Sequence, residues 1–141
     1  MKKYKIRNVK DKAESYYIKK NQLFDVPFRV AIIGRSQQGK GVVGVNLLAS
    51  PDYYKDTFLP KNIFVISGSA RTDNKLKRMI RALKIPPENV MTEYDEDLLK
   101  GIYEIIEDDY EAKVEKKKKP DQYLFYIDDI GFSGKLRGKK K

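Results

Sequence analysis

The spacing of apolar residues changes several times along this chain, and each change marks an element. Residues 1–26 mix Lys and Tyr with no clear period and read as an arm, with room for a short edge strand. The pattern changes at Val26-Pro27. Phe28-Arg29-Val30-Ala31-Ile32-Ile33 is a short run with β-branched residues, the composition of a buried strand, and Gly34 ends it. After a glycine-bearing loop, Val42, Val43, Val45, Leu47 and Leu48 fill a short helix that Ser50-Pro51-Asp52 stops. The run from Asn62 to Gly68 predicts a second buried strand. Leu76, Met79, Ile80 and Leu83 recur at helical spacing behind Thr72 or Asp73 as cap, and Ile85-Pro86-Pro87 ends that helix. Val90-Met91 reads as a short strand. A longer helix begins near Asp95, with Glu96 and Asp97 in its first turn, where the helix dipole favours acids. Its expected buried stripe is Leu98, Leu99, Ile102, Ile105, Ile106 and Tyr110. Lys116 to Lys119 and Pro120 break the pattern before a last strand, Tyr123 to Ile127, closed by Asp128-Asp129.

Strands alternate with helices, and the strands are continuous apolar runs. That combination predicts an α/β fold in three layers, with a mostly parallel sheet covered on both faces. The expected organisation is a basic arm over residues 1–26, a core over 27–134 and a basic end over 135–141.

Composition narrows the chemistry. The 141 residues contain no Cys and no His. Disulfides, Cys/His zinc sites, thiol nucleophiles and histidine triads are excluded. The absence of Cys is compatible with a reducing, cytoplasmic compartment. No apolar run of about 18 residues exists, so no membrane helix is expected, and the basic start MKKYKIRNVK lacks the apolar stretch of a secretory signal. The net charge of +10 is uneven: residues 1–20 carry +6, residues 135–141 carry +5, and the rest carry −1. Two readings fit such basic ends, a polyanionic partner or solvated tails.

The strongest chemical signal is Gly34-Arg35-Ser36-Gln37-Gln38-Gly39-Lys40, which fits G-x-x-x-x-G-K between a predicted strand and a predicted helix. Two glycines let the backbone wrap so that several N–H groups face one anion. Lys40 adds a point charge for β- and γ-phosphates, and the helix that follows turns its positive end toward them. Gly34, Arg35, Ser36, Gln37, Gln38, Gly39, Lys40, Gly41 and Val42 are therefore the candidate nucleotide-binding residues. Gly41 stands where a Ser or Thr hydroxyl commonly ligates Mg2+. Another group or water would have to take that place. Ser36 is a weak substitute whose hydroxyl more simply steadies the turn.

The second signal is Tyr123-Leu124-Phe125-Tyr126-Ile127-Asp128-Asp129, an apolar strand leading into two carboxylates. Beside a phosphate loop, such a strand delivers one acid to the Mg2+ shell. Asp128 takes that role, and Asp129 is the candidate catalytic acid that orients the attacking water, with Lys40. A solvated Asp-Asp turn is the bland alternative. Asp108-Asp109 and Asp95 to Asp97 read as solvated and capping residues.

Together, Pro27 to Val43, the Ser67-Gly68-Ser69 strand end and Asp128-Asp129-Ile130 resemble the viral genome-packaging ATPases of the FtsK/HerA superfamily, the poxvirus type especially. The resemblance covers roughly residues 27–134. It implies the N-terminal part of a P-loop NTPase domain, cut short after its Walker B strand: an ATP- and Mg2+-dependent motor that pulls double-stranded DNA into a capsid. It also implies a homo-oligomeric ring at a capsid portal or vertex, without a membrane, in the host cytoplasm or virion. Under it, Gly34, Gly39 and Lys40 bind phosphates, Asp128 attends the metal and Asp129 matches a catalytic acid that is glutamate in many relatives. The family's later sensor and arginine finger have no counterpart before Lys141. Two other classes fit the same motifs: a P-loop phosphotransferase acting on a nucleotide or small molecule, with Arg71, Arg78 and Arg81 to recruit, and a module that binds nucleotide or nucleic acid without hydrolysis. For the latter, Tyr4, Tyr16 and Tyr17 among the N-terminal lysines can stack on bases or pack the arm onto the domain.

Overall fold

The computed structural model describes residue 24, residues 26–35 and residues 37–130. These residues form a small α/β domain with an all-parallel sheet and three α-helices. The strands are β1 (Ile63–Ser67), β2 (Val90–Met91) and β3 (Leu124–Asp128), and the helices are α1 (Lys40–Ala49), α2 (Asn74–Ala82) and α3 (Glu96–Glu115). The strand order is β2-β1-β3. Ile63 to Ser67 stand opposite Leu124 to Asp128 in consecutive register, and Val65 and Ile66 opposite Val90 and Met91. Parallel pairing requires each connection to cross a face of the sheet. The β1–β2 connection uses α2. The β2–β3 connection runs the other way, past β1, and uses α3.

The layers follow from the side chains of β3. Tyr126 abuts Gly44 of α1, and Phe125 stacks on Tyr103 of α3. Neighbouring residues of a strand point to opposite faces, so α1 and α3 lie on opposite sides of the sheet. The main core lies on the α1 side. It joins Ile63 and Val65 of β1 to Leu48 of α1, Leu76 and Met79 of α2, and Tyr54 and Phe58 of the connection after α1. Asp73 caps α2 by accepting a hydrogen bond from the Lys75 N–H (2.8 Å), and Asp95 caps α3 through the Leu98 N–H (3.1 Å). Each of these three strands and three helices lies where the apolar pattern predicts it, within a residue or two.

Two expectations are corrected. Residues 28–33 form no strand. Their Val30, Ile32 and Ile33 are exposed, Ile33 by 92 %. A strand is held by its ladder, and no described strand pairs with these residues. What fixes the segment is Phe28, whose ring packs 5.0 Å from that of Tyr54 and edge-on to Phe58. The second correction concerns α3, which has no buried residue. Leu99, Ile102 and Ile106 are half-buried, but Leu98, Ile105 and Tyr110 are exposed, Ile105 by 70 %. The apolar arc of α3 is wider than the face a narrow sheet with a two-residue β2 can offer it.

Candidate phosphate and acid site

Residues 34–40 enter α1 through backbone that only certain residues adopt easily. Gln37 has φ 61° and Gly39 φ 84°, both left-handed. Glycine takes that conformation without a Cβ penalty, which accounts for the residue type at position 39. Gly39 then accepts the first helical hydrogen bond, from the Val43 N–H at 3.0 Å. The first turn of α1 carries no acid, and no side chain caps it. Its leading N–H groups have no intrahelical partner, so the positive end of the helix faces the loop.

Lys40 folds back over this loop. Its ammonium donates to the Gly34 carbonyl and, at 3.1 Å, to the Arg35 carbonyl. The loop therefore holds its own cation at its centre. Gly34 lies against the Lys40 stem, 3.6 Å from where a Cβ would sit. Gly34, Arg35, Gln37, Gln38 and Val42 are exposed or border the opening, and Gly41 faces open space. Ser36 lies outside the described residues, as do the basic ends, including Tyr4, Tyr16 and Tyr17.

β3 brings Asp128 to the same place. Asp128 stands opposite the fully buried Ser67 at the carboxyl end of the sheet, and it lines the same cleft as Lys40 and Gly41. Burial pushes the Asp128 carboxyl above the usual carboxylate range, with the negative charges of Asp129 and Asp73 adding to the effect. A hydrogen bond from the Asp129 backbone and the positive charge of Lys40 oppose it. Tyr126, one turn of the pleat earlier, is pushed up to about 12 by burial and by Asp128 and Asp73. Its hydroxyl lies 3.0 Å from where a Gly44 Cβ would be, so the glycine lets α1 approach the sheet.

Asp129 sits differently. Its φ of 51° turns the chain out of β3, and its side chain is exposed. Its carbonyl accepts the Gly68 N–H at 3.2 Å. This bond clamps the ends of β1 and β3 together. A Cβ on Gly68 would lie 2.8 Å from that oxygen.

The loop, Lys40 and Asp128 are thus brought together as expected, and Asp129 flanks them. Asp73, Tyr126, Gly44 and the Ser67–Ser69 turn are additional. In that turn the Ser69 N–H donates to Ser67 Oγ at 3.2 Å. Asp73 had a signal in the sequence as a helix cap after β1; in a parallel sheet every such cap lies at the carboxyl edge. The Gly44–Tyr126 approach had none, because nothing local marks it. Asp109, expected to be solvated, instead accepts from Lys113 Nζ (2.9 Å) and the Tyr123 hydroxyl (3.0 Å), and Lys113 also reaches Asp121 at 2.8 Å. Among the described residues there is no cluster of three or more acidic side chains placed to hold a metal, and no helix long and apolar enough to cross a membrane. No protein-family model matches the chain, and no curated protein or solved structure matches it either.

Proposed function

We propose that the chain binds ATP with Mg2+ through residues 34–42, and that it is the nucleotide-binding part of a motor that hydrolyses ATP to translocate double-stranded DNA. The observation that carries this reading is the convergence of Lys40 and Asp128, from different elements, on one cleft at the carboxyl end of a parallel sheet. On this reading Lys40 releases the carbonyls of Gly34 and Arg35 and turns to the terminal phosphates. The N–H groups at the start of α1 then receive the phosphate oxygens.

The residues present fit one Mg2+. That ion usually takes one or two carboxylates, substrate phosphates and water. Asp128 offers a half-buried carboxylate, and the space beside Gly41 leaves room for water where a hydroxyl is commonly found. When bound, Mg2+ neutralises charge on the transferring phosphoryl group. Asp129 orients the attacking water. The resemblance to packaging ATPases supplies the DNA, the ring and the capsid vertex in this reading. Basic side chains outside the described residues contact backbone phosphates without reading sequence.

The test is turnover of Mg-ATP with and without duplex DNA. Lys40→Ala and Asp128→Asn are each expected to lower it by about 10²-fold or more, the range for losing one group that stabilises transition-state charge. Unchanged turnover in Lys40→Ala removes the loop from the mechanism. A second reading, nucleotide binding without hydrolysis, is favoured by Gly41. Retained binding of labelled ATP with no turnover selects it.

A further inference from the structure

The near-zero charge of the central region hides two charged layers of opposite sign. Residues 71–84 carry six basic side chains and one acid, Asp73, whose carboxylate is occupied in capping α2. On the other side of the sheet, α3 carries eight acidic and two basic side chains over Glu96–Glu115. Arg71, Lys75, Lys77, Arg78, Arg81 and Lys84 are all exposed. Leu76, Met79, Ile80 and Leu83 of the same segment pack into the main core, which leaves the outer face to the cations. Neighbouring elements do not neutralise them. Helix α1 packs beside α2 and has no acid, and over residues 50–62 Asp52 and Asp56 are matched by Lys55 and Lys61. Helix stability does not account for the pattern either. The first turn of α2 holds Lys75 and Lys77 and no acid, where the dipole disfavours cations. Arg81 stands four residues from Lys77 and three from Arg78, like-charge spacings that destabilise an isolated helix.

We propose that this outer face of α2 binds the phosphate backbone of duplex nucleic acid without reading its sequence. Lys77, Arg78, Arg81 and Lys84 form a stripe about 10 Å long at the helical rise, and duplex DNA presents about six phosphates over that length. Each guanidinium fork can hold two phosphate oxygens. Residues 71–84 contain no aromatic side chain, so nothing there stacks on an unpaired base, which favours a duplex over a single strand. The large apolar side chains of α2 are committed to the core, so the helix has none to insert into a membrane and no aromatic anchor for a protein partner. The acidic α3 repels the same polyanion, which presents the domain to it by one side. Arg71, Arg78 and Arg81, which a phosphotransferase could recruit, do not line the cleft shared by Lys40 and Asp128. The inference deepens the proposed function by giving its DNA a place on the domain. Its test contains no nucleotide, so its failure and a failure of ATP turnover are separate results.

The full chain is titrated by fluorescence anisotropy against a short labelled DNA duplex over a range of salt concentrations. One variant combines Lys77→Gln, Arg78→Gln and Arg81→Gln. A control combines Lys116→Gln, Lys118→Gln and Lys119→Gln, exposed residues beyond α3 whose loss removes the same charge. Losing three phosphate contacts is expected to flatten the slope of log affinity against log salt by about 2.7 and to weaken binding on the order of 100-fold at 0.15 M salt, while the control changes the slope by less than about 1. Arg78→Lys with Arg81→Lys keeps the charge and is expected to keep the slope, which separates lost contacts from lost structure. A slope equal to that of the parent protein in the α2 variant overturns the proposal. So does an equal loss in the control, which would make binding a matter of net charge alone. An α2 variant that binds the duplex like the parent protein but loses vesicles of anionic lipid assigns the face to a membrane, and that also overturns it.

Discussion

Gly68 shows how closely the ends of β1 and β3 approach. Its N–H bonds the Asp129 carbonyl, and a Cβ would meet that oxygen at 2.8 Å. Gly68→Ala is therefore expected to destabilise the domain by about 1–3 kcal/mol, as overpacking does, read as a lower urea midpoint. A neutral result would mean the strand ends separate freely. Gly41 is the opposite case, with nothing within 4 Å of its missing side chain. Gly41→Ser should leave the fold intact, gaining about 0.5 kcal/mol of helix propensity. If Asp128 and a water complete the metal shell, the added hydroxyl lowers the Mg2+ concentration for half-maximal turnover several-fold. An unchanged Mg2+ dependence would place the metal elsewhere. The glycine-lysine spacing was readable in the sequence because the chemistry is local. The need for glycine at 68 was not, because the oxygen it must avoid belongs to Asp129.

At the scale of elements, α2 and α3 form a contrast. Both carry the helical apolar period, yet Leu76 and Met79 of α2 are buried while α3 buries nothing fully. Periodicity states which face is apolar; the width of what lies opposite decides how much of it is covered. Tyr103 is held by its stack on Phe125, and Tyr103→Ala should cost about 0.5–1.5 kcal/mol for the lost aromatic pair, beyond the area lost. The far end of α3 is tied to the start of β3 by Lys113, Asp109, Asp121 and Tyr123. Lys113 is raised above its ordinary value by its hydrogen bonds with Asp121 and Asp109. Asp109 is held below the carboxylate range, first by Lys113 and against the cost of burial. Burial, with Asp109, pushes Tyr123 up to about 12. The lowered Asp109 stabilises the fold above its unfolded-state value and loses that contribution as pH falls through the folded one. The raised Lys113 contributes below its unfolded-state value and loses that only as pH rises far into the alkaline range. Lys113→Met should therefore flatten the acid side of a stability–pH curve below about pH 5, by less than about 1 kcal/mol given its partial exposure. An acid limb identical to that of the parent protein would show that the network is incidental.

Across the whole molecule, charge and fold separate. The near-neutral central region contains the sheet, and the basic residues concentrate in the two ends. If the ends contact duplex DNA, affinity must fall with salt. About five phosphate contacts give a slope near −4.5 in log affinity against log salt, roughly 500-fold between 50 and 200 mM. Binding that ignores salt would return the ends to the role of solvated tails. By itself the sequence determined the α/β class, the order of the three paired strands and three helices, and the loop and acid that face each other. Those follow from local pattern and from the geometry of parallel crossovers, which carries every strand end to one edge. The tertiary structure alone decided that residues 28–33 pair with no described strand, that α3 is only partly covered, and that Asp73, Gly68 and Tyr126 stand close to the end of β3. A strand exists only with a neighbour, and burial and close approach are properties of two surfaces; a run of residues specifies just one of them.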